Sequence, residues 1–203
     1  VWASIIKEEK VVTEPHMEIA IAATKKPKLV MGLGAQVKLL KALYAAQNGV
    51  YAMSATIGDL VETSNNIARV KVKDGQMLVG CLTRSSVNSA KFDLADSLKA
   101  TFELAGFVVT LDGDYPGWNP NPNSAILEVL KAQYQQVFNE EPKVVACHAG
   151  LECGILGQNY PDMDMISYGP TILGAHSPDE RVGISSVQKF WKFTLAILKN
   201  IPE

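Results

Sequence analysis

The chain has 203 residues, 47% hydrophobic and 20% charged, with 19 Lys and Arg against 21 Asp and Glu for a formal charge of −2. That is enough chain for one large domain or two small ones, with the composition of a soluble globular protein. No basic block and no Lys/Arg stripe interleaved with aromatics occurs, which argues against nucleic acid as a partner; the apolar runs are far too short to span a membrane, which argues against a membrane partner too.

Residues 17–24 predict a strand, and Thr24-Lys-Lys-Pro-Lys28 a solvated turn. From Gln36 to Gln47 the residues Val37, Leu40, Leu43 and Tyr44 recur at helical spacing, and Asn48-Gly49 supplies a stop. Ile67 to Lys73 alternates apolar and polar residues, Asp74-Gly75 is a tight-turn signal, and Met77 to Thr83 returns as a second strand. Lys91 to Ala105 reads as a helix with Leu94, Leu98 and Phe102 on one face and Gly106 as its C-terminal cap. Phe107 to Leu111 follows as a strand. This order predicts an antiparallel sheet with helices on one face.

Asp112 to Asn123 then holds three prolines, two glycines and three asparagines, and marks a domain boundary. Beyond it, Ser124 to Asn139 predicts a helix carrying Ile126, Leu127, Leu130, Tyr134, Val137 and Phe138. Lys143–Cys147 and Met165–Tyr168 read as short buried strands. Ser185-Ser-Val-Gln188 resembles a capping box opening a last helix with Val187, Phe190, Trp191, Leu195 and Leu198. Helix-flanked buried strands suggest part of an α/β sheet covered on both faces.

Three cysteines, Cys81, Cys147 and Cys153, are an odd number without metal-finger spacing, which points to a reducing, cytoplasmic compartment. Val1-Trp-Ala-Ser-Ile-Ile lacks the basic region of a secretory signal and an initiator methionine, so no signal peptide is expected and the chain is expected to be a fragment.

Few residues carry chemistry. His176 lies on a Gly/Pro-flanked loop after an apolar strand, where an imidazole reaches a ligand or metal; the plainer alternative is a loop histidine bonded to Asp179 or Glu180. His148-Ala-Gly-Leu-Glu-Cys-Gly154 follows another predicted strand. Its glycines permit close backbone approach to a ligand and Glu152 adds charge, or Glu152 simply caps a helix start. Adjacent strand residues face opposite ways, so Cys147 and His148 are poorly placed as a nucleophile–base pair. Arg84 ends a strand and is suited to a carboxylate, or is an ordinary surface arginine. Asn65 and Asn66 read either as turn residues or as donors to a substrate amide.

These segments together resemble one family. Glu62-Thr-Ser-Asn-Asn66, Leu82-Thr-Arg-Ser-Ser-Val-Asn-Ser89, Tyr115-Pro-Gly-Trp118, His148 to Gly154, Met163-Asp-Met-Ile-Ser167, Gly169-Pro-Thr-Ile172 and Ala175-His-Ser-Pro-Asp-Glu180 are similar to segments of aminoacyl-histidine dipeptidases, within the two-metal zinc peptidases. The resemblance runs from about residue 48 to 203 and is most specific in the C-terminal part.

It implies a mixed α/β and α+β chain. Residues 1–113 would be the later part of a lid or dimerisation domain, an antiparallel sheet with helices on one face. Residues 114–203 would be the C-terminal segment of an α/β catalytic domain. It implies that His176 is a metal ligand, that Arg84 grips the substrate's C-terminal carboxylate, and that Gly150, Leu151 and Glu152 line the pocket, with Asn65 and Asn66 as further substrate contacts. It also implies two divalent metal ions, zinc by type, a dipeptide substrate, a homodimer through the lid, and a cytoplasmic location. The family's His-x-Asp pair, bridging aspartate, Glu-Glu pair and further aspartate, which supply most ligands and the general base, have no counterpart here. No catalytic residue is therefore expected in the fragment, and the chain alone is expected to be inactive. The alternatives are a non-catalytic lid-type binding or dimerisation module and, more remotely, a cysteine hydrolase using Cys147 or Cys153.

Overall fold

The structure, a computed structural model, describes residues 4, 8, 15–16, 18, 20–146 and 151–200. The chain divides into two compact units, 1–36 and 37–203. In the first, residues 20–24 form no strand; Met17 and Ile19, the rest of that expectation's apolar alternation, lie outside the described residues.

Helix α1 (Leu33–Ala45) forms where predicted, but its phase differs. Leu39, Ala42 and, just beyond, Ala46 are buried, whereas Tyr44 is 96% exposed and Leu40 58%. The alanines let the helix approach closely, so contact follows the small residues rather than the larger apolar ones. Strand β1 (Gly49–Met53) pairs antiparallel with β2 (Val61–Lys73), which pairs with β3 (Gln76–Ser85). The β2–β3 turn is the predicted Asp74-Gly75, with φ of 52° and 76°. Positive φ at both central residues is what the right-handed twist of a two-residue hairpin demands.

Helix α2 (Asn88–Leu104) lays Leu94, Leu98 and Phe102 into a core with Ala42 and Ala46, against Ile67 and Val79 of the sheet. This is the predicted sheet with helices on one face. Its end is closed by two bonds, Gly106 N–H to the Glu103 carbonyl and Phe107 N–H to the Phe102 carbonyl, with the Phe102 and Phe107 rings edge-to-face at 5.7 Å. Gly106, at φ 84°, takes the left-handed position that this motif requires.

Residues 107–111 form no strand. The segment that follows is pinned rather than loose. The Lys91 ammonium bonds the Asp114 carboxylate and, at 2.8 Å, the Tyr115 carbonyl, while Gly117 N–H donates to Asn88 Oδ1 at 3.1 Å. A Cβ on Gly117 would lie 2.6 Å from the Ser85 and Ser86 carbonyl oxygens, and one on Gly154 2.6 Å from that of Pro116. Two glycines thus let three backbones cross at contact distance.

Helix α3 (Ala125–Phe138) has the predicted ends: Ser124 Oγ accepts Leu127 N–H at 3.1 Å, and Asn139 closes it in the left-handed conformation. Helix α4 (Glu152–Asn159) follows. Two-residue strands β4 (Ile172–Leu173) and β5 (Arg181–Val182) pair antiparallel, and α5 (Ile184–Lys199) packs on α3 through Leu130, Phe193 and Ile197 with Tyr134, Phe138 and Ile166 around them. The predicted strands over 143–147 and 165–168 are not formed at the described residues, and Cys147 lies outside them. The α5 cap also differs from expectation. Gly183 is the N-cap, and Ser186 bonds instead, donating to the Gly183 carbonyl at 2.7 Å and accepting Thr171 N–H at 2.9 Å. No helix among the described residues is long and apolar enough to cross a membrane.

Candidate functional site: a cavity between Arg84 and His176

A cavity of about 850 Å³ opens along β3, α2 and residues 107–116. Its lining combines apolar Val79, Leu98, Phe102, Phe107 and Val109 with polar or charged Arg84, Ser85, Ser86, Lys91, Asp114 and His176.

Arg84 reaches the cavity from the C-terminal end of β3. Its ladder partner is Ser64, and beyond it Ser85 turns inward to share a 2.8 Å hydroxyl bond with buried Thr63. Ser85 Oγ also accepts Val87 N–H, which starts the turn into α2. The guanidinium pairs with no carboxylate among the described residues, so its five donors stay free for an anion.

His176 stands on the tight connection between β4 and β5. Its φ is 64°, a left-handed backbone that costs a Cβ-bearing residue about 1–2 kcal/mol. Local bonds hold the turn. Ser177 Oγ donates to the Gly174 carbonyl at 2.7 Å, Glu180 N–H donates to the Ser177 carbonyl at 3.1 Å, and His176 N–H donates to Glu180 Oε2 at 2.7 Å. The alternative of an imidazole bonded to Asp179 or Glu180 is not what forms: the carboxylate takes the main-chain N–H, and the ring has no partner among the described residues.

The other expected site residues are not gathered here. Asn65 is 2% exposed and both ends of its amide are engaged, Nδ2 with the Gln47 carbonyl at 2.7 Å and Oδ1 with the Thr83 hydroxyl at 3.1 Å. Buried in the sheet, it ties β2 to β3 and to the segment between α1 and β1. Asn66 is exposed on β2, outside the cavity lining. Leu151 is the N-cap of α4 and Glu152 an exposed residue of its first turn; neither lines the cavity, and Gly150, like Cys147 and His148, lies outside the described residues. Sequence reasoning missed Lys91. Its signal was its phase: it precedes Leu94 by three residues on the apolar face of α2, and it is buried at 6% exposure.

Among the described residues no group of three or more His, Cys, Asp or Glu side chains could hold a metal ion. Cys81 and Cys153 are the thiols among the described residues. Burial pushes Cys81 up, against a hydrogen bond from Asn65, and burial likewise raises Cys153, the opposite of what activates a thiol.

No family model matches the chain. Along its whole length, however, it is homologous to dipeptidases. The cytosol non-specific dipeptidase of Escherichia coli is 36% identical over 201 residues, 99% of this chain and 41% of that protein. The crystal structure of aminoacylhistidine dipeptidase from Vibrio alginolyticus superposes with a TM-score of 0.81 at 36% identity, over 100% of this chain and 41% of that one. Aminopeptidase PepT from Bacillus cereus shares the fold at a TM-score of 0.60 and 16% identity, over 81% of this chain and 44% of its own. The chain thus spans about two fifths of the length of the dipeptidases it matches.

Proposed function

We propose that the chain is the C-terminal part of a cytoplasmic, metal-dependent dipeptidase acting on Xaa-His and related dipeptides, with residues 1–113 belonging to its lid and 114–203 to its catalytic domain. The observation that carries this is one cavity whose lining includes both an uncommitted guanidinium, Arg84, and an uncommitted imidazole, His176.

A free carboxylate at Arg84 accepts two parallel hydrogen bonds, a geometry an amide or an internal peptide unit cannot offer. Anchoring the end group fixes where the neighbouring peptide bond lies, which favours substrates one peptide bond long and spends binding energy on placement. His176 supplies an imidazole to the same cavity. In the complete enzyme the resemblance assigns it to one of two divalent metal ions, zinc by type. The remaining ligands and the general base have no counterpart in this chain, so by itself it is expected to hydrolyse nothing. The same reading includes a homodimer through the lid, where apolar Val70, Val72, Leu78 and Leu82 are about half exposed on β2 and β3.

The gene upstream of the Val1 codon tests this. In-frame His-x-Asp and Glu-Glu motifs, and hydrolysis of an Xaa-His dipeptide that His176→Ala abolishes, are expected. An upstream region without them leaves the non-catalytic lid-type module.

A further inference from the structure

We infer that Glu180 is a positioning residue for His176: its carboxylate takes the His176 main-chain N–H, holds the backbone left-handed, and so presents the ring to the cavity with both nitrogens unspent. The inference rests on the proposed role of His176, but its first test does not.

Three observations converge. His176 adopts φ 64°, which a Cβ-bearing residue leaves unless something opposes it. The Glu180 bond, at 2.7 Å, is short and charge-assisted, and it closes the turn across four residues. The rest of the turn is bonded so that Glu180 can reach back. Glu180 N–H is fixed to the Ser177 carbonyl and Asp179 N–H to Ser177 Oγ, while a Cβ on Gly174 would come within 3.2 Å of the Asp179 carbonyl oxygen. A carboxylate bonded to the ring would hold one nitrogen and compete with any ligand; bonded to the main chain, it fixes the loop and leaves the ring free. Asp179, adjacent in sequence, does not substitute, because its bonds run through its main chain, its N–H donating to Ser177 Oγ and its carbonyl accepting from Arg181.

The test uses the 203-residue chain labelled with ¹⁵N and compares wild type, Glu180→Gln, which keeps an uncharged acceptor, and Glu180→Ala. The His176 amide is expected to exchange with solvent about tenfold faster in Glu180→Ala, the scale of one lost hydrogen bond to a charged group, and by less in Glu180→Gln. Unchanged exchange in Glu180→Ala overturns the inference. Addition of an Xaa-His dipeptide then reads the aim of the ring. In wild type the Arg84 side-chain signals and the His176 ring signals are expected to shift together; in Glu180→Ala the Arg84 response persists while the His176 ring response shrinks, and Glu180→Gln restores part of it. Equal ring responses in wild type and Glu180→Ala also overturn it. If the dipeptide moves neither residue in wild type, the proposed function fails at this cavity, and the amide exchange still decides the role of Glu180.

Discussion

Residues 37–106 and residues 124–200 were built from similar materials and end differently. In the first stretch, sheet and helices enclose their own apolar residues: Leu94 is fully buried, with Leu98, Phe102, Ala42 and Ala46 around it. In the second, α3 and α5 share a contact at Leu130, Phe193 and Ile197, yet α5 still exposes Ile184, Val187, Trp191, Leu195 and Leu198, at 79, 39, 60, 40 and 60%. Those five fall on one helical stripe. The first stretch closes a core around Leu94, though Val70, Val72, Leu78 and Leu82 stay about half exposed; the second leaves its α5 stripe open among the described residues. That fits a chain spanning about two fifths of its relatives' length.

The contrast can be broken by mutation. Leu94→Ala opens a cavity in the closed core and is expected to cost about 2–5 kcal/mol in a denaturant titration followed by tryptophan fluorescence and far-UV circular dichroism. A cost under about 1 kcal/mol would mean that the core is not closed. Lys91→Met is expected to cost less, about 1–2 kcal/mol, since Asp114, half exposed, regains water when its partner goes. Its more specific sign is faster amide exchange at Gly117 as the 114–117 segment loosens.

In the second stretch the expected effects are smaller and depend on pH. Ile126 N–H and the Ser124 hydroxyl bond the ionised Asp164 and hold its carboxyl below the ordinary value of 3.8. A carboxyl lowered by folding contributes stability above its unfolded value and loses it as pH falls through the folded one. Protection of the Ile126 amide should therefore decline as pH drops below 3.8, and Asp164→Ala should flatten that decline. Trp191→Ser, on the exposed stripe, is expected to change stability by less than about 0.5 kcal/mol. A loss of several times that would show the stripe to be covered and would erase the difference between the regions.

The same contrast explains what the sequence revealed. Elements whose determinants are local were legible: the Asp74-Gly75 hairpin, the Gly106 closure, and Ser124 and Asn139 bracketing α3. Elements that need neighbours were not. Residues 107–111 and 165–168 carry strand-like apolar runs, but a strand exists only with a partner to complete its ladder, and none is present among the described residues. The α1 face misled because alanines, weak in any hydrophobicity pattern, made the contact. Arg84 and His176 were singled out in the sequence from their places at predicted strand ends, and both line the cavity. Asn65 does not line it, and its burial in the sheet was not readable because a buried crosslink and a substrate donor look alike until the partners of the amide are known.

The most direct test of the account is binding of an Xaa-His dipeptide and of its C-terminal amide to the 203-residue chain, followed at the Arg84 side-chain signals. The account predicts that the free carboxylate binds about tenfold more tightly than the amide, the scale of a paired charge-assisted hydrogen bond, and that Arg84→Ala erases the difference. Equal affinity for acid and amide, or a preference that survives Arg84→Ala, would contradict it.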